Sequence, residues 1–83
     1  HKEEKMKKGI KVTVLHFNDG EKEVTLDSDL SLDAALSLAG HSEIPTNWYV
    51  MVNTMEREEF ESSQGILENG DVISIVGNVA GGR

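Results

Sequence analysis

The stretch that decides the fold lies near the end of the chain and reads Gly70-Asp71-Val72-Ile73-Ser74-Ile75-Val76. A Gly-Asp turn leads here into a run of β-branched residues, which predicts a strand. Because side chains alternate along a strand, Ile73 and Ile75 share one face, and Ser74 marks the other face as the wetter one. The strand runs into a segment of small residues, Gly77-Asn78-Val79-Ala80-Gly81-Gly82-Arg83, whose diglycine lacks Cβ atoms and can enter a narrow slot.

A hairpin and a helix are predicted in the first half of the chain. Residues 10–17 are rich in β-branched and aromatic residues and predict a first strand, which the turn at 18–21 joins to a second strand over 22–26. A helix is expected over 31–39, because Ser31 is a suitable N-cap and apolar residues recur at helical spacing after it.

The order of elements predicts the fold class. A third strand is expected over 48–53 and a short fourth strand over 55–57, whereas 58–64 reads as an acidic, polar connection and 66–67 as a brief apolar contact. With one helix across one face of the sheet, the first and last strands are expected to lie side by side and parallel. This α+β arrangement is the β-grasp or ubiquitin-like fold, with a mixed sheet of four or five strands and one main helix.

Length and composition place the chain in a narrow class. Its 83 residues suit one domain, which we expect over 10–77, with residues 1–9 as a disordered leader or cloning remnant and 78–83 as a flexible tail. The absence of cysteine excludes disulfides, thiolate metal sites and a cysteine nucleophile. The net charge of −7 disfavours nucleic acid and fits either a partner with a basic surface or simple solubility. With no membrane-length apolar run and no signal peptide, a cytoplasmic protein is expected.

Several motifs in the second half of the chain carry a family resemblance. They are Val52-Asn53 before a polar turn, Arg57, Phe60 in an acidic stretch, the run 67–76, and Val79-Ala80-Gly81-Gly82. Together they resemble the ThiS/MoaD family of ubiquitin-related sulfur carriers. The similarity covers residues 10–82 and is strongest from Trp48 onward.

The resemblance implies a function in which the chain is a substrate for other enzymes and has no catalytic residue or cofactor of its own. An E1-like adenylating enzyme of the ThiF/MoeB type would activate the Gly82 carboxylate, with Gly81 beside it in the slot. The activated end would become a thiocarboxylate and pass its sulfur to an acceptor synthase. Two alternatives stay open: a ubiquitin-like modifier conjugated to lysines through Gly82, and a non-reacting β-grasp interaction domain.

One residue departs from the family pattern, because Arg83 follows the second glycine. The carriers normally end on that glycine, so the resemblance implies a peptidase that removes Arg83. The other interpretations are that Arg83 is engineered or that the chain does not use the carrier chemistry.

A docking surface follows from strand alternation. If Ile73 and its neighbours meet the helix, then Leu15, Phe17, Val72 and Val76 line the opposite, open face, where an apolar patch is typical of a docking site. Val79 in the tail extends this predicted surface. The alternative is that Phe17 packs under the turn at 18–21, or that a bulge reverses its phase.

Other chemistry-bearing residues predict no catalytic or metal site. His16 and His41 are far apart in sequence, and His41 is expected to be solvated near the helix C-terminus. The carboxylates of Glu56, Glu58, Glu59 and Glu61 fit a solvated acidic segment better than acid–base catalysis. Of the adjacent aromatics Trp48 and Tyr49, one is expected in the core and the other at an interface.

Overall fold

The computed structural model describes residues 9–77, which form five strands and two helices. In chain order these are β1 (Ile10–His16), β2 (Gly20–Leu26), α1 (Leu32–Leu38), β3 (Tyr49–Val52), β4 (Met55–Glu56), α2 (Arg57–Ser63) and β5 (Val72–Val76). The predictions for the leader and for the tail, including Val79, Gly81, Gly82 and Arg83, lie outside the described residues.

The five strands form one mixed sheet in the order β2-β1-β5-β3-β4. The central pair, β1 and β5, is parallel, with Val14 opposite Ile73, whereas the other neighbours are antiparallel. The predicted parallel pairing of the first and last strands is therefore confirmed. The predicted fourth strand is present as the two residues Met55 and Glu56.

The core lies on one face of this sheet, as alternation predicts. Val12 and Val14 of β1 and Ile73 and Ile75 of β5 are all buried. They share one cluster with further apolar side chains from the hairpin, both helices, β3 and the loop after α2: Val24, Leu26, Leu32, Ala35, Leu36, Ala39, Val50, Val52, Phe60 and Leu67. Among the described residues, every buried hydrophobic side chain belongs to this cluster. No polar or charged side chain of these residues is buried.

The helix α1 begins and ends with the residues that the sequence indicates. The Ser31 hydroxyl accepts the N–H of Ala34 at 3.1 Å, which satisfies one of the free donors of the first turn. At the other end Gly40 has a φ of 87°, and the N–H of His41 reaches back to the carbonyl of Leu36 at 2.8 Å. Lys22 of β2 adds a cation there, since its ammonium donates to the carbonyl of Ala39 at 3.0 Å.

The second helix corrects the prediction of an acidic, polar connection over 58–64, because most of that segment is helical. Residues 57–63 form α2, whose one buried side chain is Phe60. One apolar residue in seven leaves no helical periodicity to detect, so the helix depends on tertiary burial of that ring. Arg57 holds α2 near α1, because its guanidinium donates to Glu61 at 3.2 Å and to Asp33 at 2.8 Å. Among the described residues, neither helix has the length and apolar content needed to cross a membrane.

Candidate functional site

The face of the sheet opposite the core is only partly covered by other parts of the described chain. It presents residues from the three central strands, which we call the open face: Thr13, Leu15, Val72, Ser74, Val76, Tyr49 and Met51. Strand register aligns them in rows, with Leu15 beside Ser74, Ser74 beside Met51, and Val76 beside Tyr49. The apolar side chains from different strands therefore meet on one surface.

Three of the predicted docking residues lie on this open face. Leu15 is 37% exposed and Val76 is 42% exposed, while Val72 is half-buried. Tyr49, 60% exposed beside Val76, and half-buried Met51 extend the same surface but were not among the predicted docking residues. Alternation along the third strand was the signal that could have found them, because it gives Tyr49 and Met51 the same face.

Carboxylates border the open face on both sides. On β2, Glu21 lies opposite Leu15 and Glu23 opposite Thr13, and on β4, Glu56 lies opposite Met51. All three glutamates are exposed. The face is thus an apolar centre between two acidic edges, which suits a partner with an apolar centre and a basic rim.

The fourth predicted docking residue, Phe17, belongs to a group of rings at the end of β1. We call this group the aromatic cluster; it consists of His16, Phe17, His41 and Trp48. The Phe17 ring stacks on His16 at 5.2 Å and meets Trp48 edge-on at 4.9 Å, centroid to centroid. The ring is half exposed and packs against His16, Trp48 and Gly77, so it is part exposed surface and part intramolecular contact.

His41 corrects the prediction of a solvated residue. Its side chain is only 11% exposed, its ring stacks on His16 with centroids 4.2 Å apart, and its Nε2 lies 3.7 Å from an Asp19 carboxylate oxygen. Burial lowers the pKa of His41, and the neighbouring His16 lowers it further, against an opposing effect of Asp19. Separation in sequence concealed this contact, because the end of β1 and the loop after α1 meet only in the folded chain.

The same residues form the one cluster of potential metal ligands that the described part of the chain holds. Donor atoms of His16, Asp19 and His41 lie within 4.8 Å of one another. However, Nδ1 of His16 accepts the backbone N–H groups of Asn18 and Asp19 at 3.1 Å each, which engages the lone pair of that nitrogen. The two imidazole planes differ by only 15°, so their in-plane lone pairs run side by side and do not converge on one ion. This geometry favours a stacked imidazole pair over a chelating one.

The remaining candidates lie where the sequence suggested. Glu58, Glu59 and Glu61 are exposed on α2, so the prediction of a solvated acidic segment holds although the segment is helical. Trp48 is half-buried and packs against the core, whereas Tyr49 is exposed, as predicted for adjacent residues of a strand.

The chain matches no protein-family model, no curated protein and no solved structure. The described residues by themselves define a small α+β protein with a mixed five-stranded sheet, two helices and one apolar face bordered by carboxylates. The case for a function therefore depends on this surface and on the residues that follow β5.

Proposed function

We propose that this chain is a β-grasp, ubiquitin-like sulfur carrier that is activated at the carboxylate of Gly82. The observation that carries the proposal is the position of the open face. Its apolar centre lies on β1 and β5, and β5 continues into the segment with Gly81 and Gly82. The strand order, with a parallel central pair formed by the first and last strands, supports the assignment to the β-grasp fold.

The distance from the open face to the diglycine suits a two-part interaction. Val76 ends β5, and six residues from Gly77 to Gly82 can reach about 20 Å when extended. A partner that holds Leu15 and Val76 would therefore find Gly82 within reach of an active site beside the contact. Docking on the apolar face would supply affinity, and the glycines would pass into a slot that excludes side chains.

The chemistry requires a carboxylate at Gly82 and an external enzyme. A carboxylate oxygen of Gly82 attacks the α-phosphate of ATP, which releases pyrophosphate and leaves an acyl-adenylate. A persulfide sulfur of the enzyme or of a donor then attacks the acyl carbon and expels AMP, giving an acyl disulfide. A second thiol reduces that disulfide and releases the thiocarboxylate on Gly82. Peptide bond cleavage after Gly82 by a peptidase must come first, because Arg83 follows it. We place these steps in the cytoplasm, together with an acceptor synthase that receives the sulfur.

The first experiment measures adenylation. A version of the chain that ends at Gly82 is mixed with ATP, magnesium and candidate E1-like enzymes from the same organism, and ATP–pyrophosphate exchange is followed. We expect exchange with this version and none with the chain that retains Arg83 or with Gly82→Ala. Equal exchange with and without Arg83 would contradict the role of cleavage, and no exchange with any candidate enzyme would favour a non-reacting interaction domain.

A matched pair of variants tests the open face in the same assay. Leu15→Ala removes an apolar side chain from the centre of that face and should raise KM for the carrier. Leu38→Ala removes the same side chain from the exposed side of α1, where it is 61% exposed, and should leave KM unchanged. Equal effects of the two substitutions would argue against docking through the open face.

The fate of the activated end separates the sulfur carrier from the modifier. Mass spectrometry of the protein purified from its host should show replacement of one oxygen by sulfur at Gly82. Isopeptide-linked adducts on lysines of other proteins, without that replacement, would instead identify a ubiquitin-like modifier.

A further inference from the structure

Gly77 lies under an aromatic ring at the end of β5. A Cβ built on Gly77 would lie 2.5 Å from Cζ and 2.8 Å from Cε1 of Phe17, which is far closer than such atoms approach in real proteins. The φ angle of Gly77 is outside the left-handed region, so backbone conformation does not demand glycine there. A side chain at this position would instead displace the Phe17 ring from its place over the backbone.

The Phe17 ring is held in place from several directions. His16 stacks on it and the edge of Trp48 meets it, while Trp48 itself packs against the core. The main chain is also tied to β5, because the N–H of Phe17 donates to the carbonyl of Ile75 at 3.2 Å. A ring fixed in this way can in turn restrict the backbone over which it lies.

Stability alone does not account for this contact. Phe17 is 49% exposed, so its contribution to the core is small, and glycine is more costly to order on folding than alanine. A ring that served only as a docking contact would need no glycine beneath it. The contact lies instead at the point where the chain leaves β5 toward Gly81 and Gly82.

Resting on the proposed function, we propose that Phe17 and Gly77 are positioning residues for the activation of Gly82. The ring fixes the direction of the backbone as it leaves β5, so that a docked carrier presents the following residues to the active site of its partner. Neither residue touches the reacting carboxylate. They act by reducing the number of orientations that the carboxylate samples before the partner enzyme binds it.

Kinetics of adenylation test this proposal with single and double variants of the chain that ends at Gly82. Gly77→Ala introduces the clash and should lower kcat by about tenfold or more with little change in KM, as expected for a misdirected reacting group. Phe17→Ala should lower kcat similarly and should also raise KM, because the exposed part of the ring belongs to the predicted docking surface. The double variant should be no worse than Phe17→Ala alone, because both changes break one contact. A kcat for Gly77→Ala within about twofold of the parent, or losses that multiply in the double variant, would overturn the proposal.

Leu15→Ala is the matched control, because it changes the open face and leaves every ring of the aromatic cluster in place. It should act on KM, and its effect should multiply with that of Gly77→Ala. If Leu15→Ala and Gly77→Ala were coupled as strongly as Phe17→Ala and Gly77→Ala, the assay would report docking as a whole. That result would overturn the positioning role.

Nuclear magnetic resonance tests the contact without any partner enzyme. The ring current of Phe17 should shift the Gly77 Hα resonances, and Phe17→Ala should abolish that shift and lower the order parameter of the Gly77 amide. Unchanged Gly77 Hα shifts or an unchanged Gly77 order parameter would overturn the positioning contact. If both change as expected but no enzyme activates the parent chain, then the proposed function fails while the contact stands.

Discussion

At the scale of single residues, His41 shows how the fold alters a side chain. Its ring lies between His16, Asp19 and the end of α1, with Lys22 close enough to affect its charge. Burial is the largest cause of its lowered pKa, because removal from water disfavours the imidazolium. Asp19 opposes this effect without cancelling it.

The lowered pKa predicts how stability depends on pH. The unfolded chain binds a proton at His41 near the ordinary pKa of 6.5, whereas the folded chain binds it only at lower pH. The contribution of His41 to stability is therefore complete above about pH 6.5 and is lost as pH falls through the lowered pKa. Urea unfolding at several pH values should show a smaller loss of stability on acidification for His41→Gln than for the parent.

The control for this measurement is Asn47→Gln, which changes an exposed side chain without replacing a titratable group. It should leave the pH dependence of unfolding as it is in the parent. The same pH dependence for His41→Gln and the parent would contradict the lowered pKa of His41 in the folded chain.

Lys22 supports a second prediction at the residue scale. Its ammonium is bonded to the carbonyl of Ala39 at the C-terminus of α1, where a cation is favourable. Lys22→Met should lower the free energy of unfolding by about 1 kcal/mol. Lys11→Met, at an exposed position of β1, is the control and should have a much smaller effect on chemical denaturation.

At the scale of elements, α2 depends on one side chain. Phe60 has no exposed surface, and every neighbour in the helix is at least partly exposed. Three acidic residues in seven and a single apolar one give this segment little reason to be helical by itself. Burial of the Phe60 ring in the core, where α2 packs against β3 and β4, provides what local propensity lacks.

Phe60→Ala should therefore be among the most destabilising substitutions in the chain. Loss of a fully buried phenylalanine costs about 3–5 kcal/mol of unfolding free energy. Phe17→Ala is the matched control, since the same atoms are removed from a half-exposed ring, and it should cost at most about 1.5 kcal/mol. Thermal or urea unfolding with similar losses for both variants would show that α2 is not anchored through Phe60.

At the scale of the whole molecule, charge and apolar surface are arranged together. The net charge of the chain is −7. Three of its acidic side chains border the two sides of the open face: Glu21, Glu23 and Glu56. Exposed carboxylates at the rim of an apolar contact act mainly on the rate of encounter and on its dependence on salt.

This arrangement predicts salt-dependent binding to the proposed activating enzyme. The association rate should fall as sodium chloride is raised, and replacement of the three rim glutamates by glutamine should lower the rate and flatten its salt dependence. Stopped-flow or surface-based kinetics would measure both. The control carries the same change in net charge at three exposed glutamates away from the rim: Glu43, Glu59 and Glu68. Equal effects of the two triple variants would mean that total charge, and not the rim, governs encounter.

The sequence by itself determined the central strands and the first helix of this protein. Alternation over β1 and β5 is a local property, and it placed Val14 and Ile73 inward and Leu15 and Val76 outward correctly. Ser31 and Gly40 marked the ends of α1 for the same reason, because a cap depends on neighbours three or four residues away.

Only the tertiary structure decided α2, the stacking of His16 on His41, and the contact of Phe17 with Gly77. In each case the partners are distant in sequence, or a single side chain depends on a core that other elements build. Such contacts leave no periodic signal in the chain, because the free energy that selects them comes from burial and packing in the assembled fold. The open face was thus predictable from alternation, whereas the position of the Phe17 ring over Gly77, directly after β5, was not.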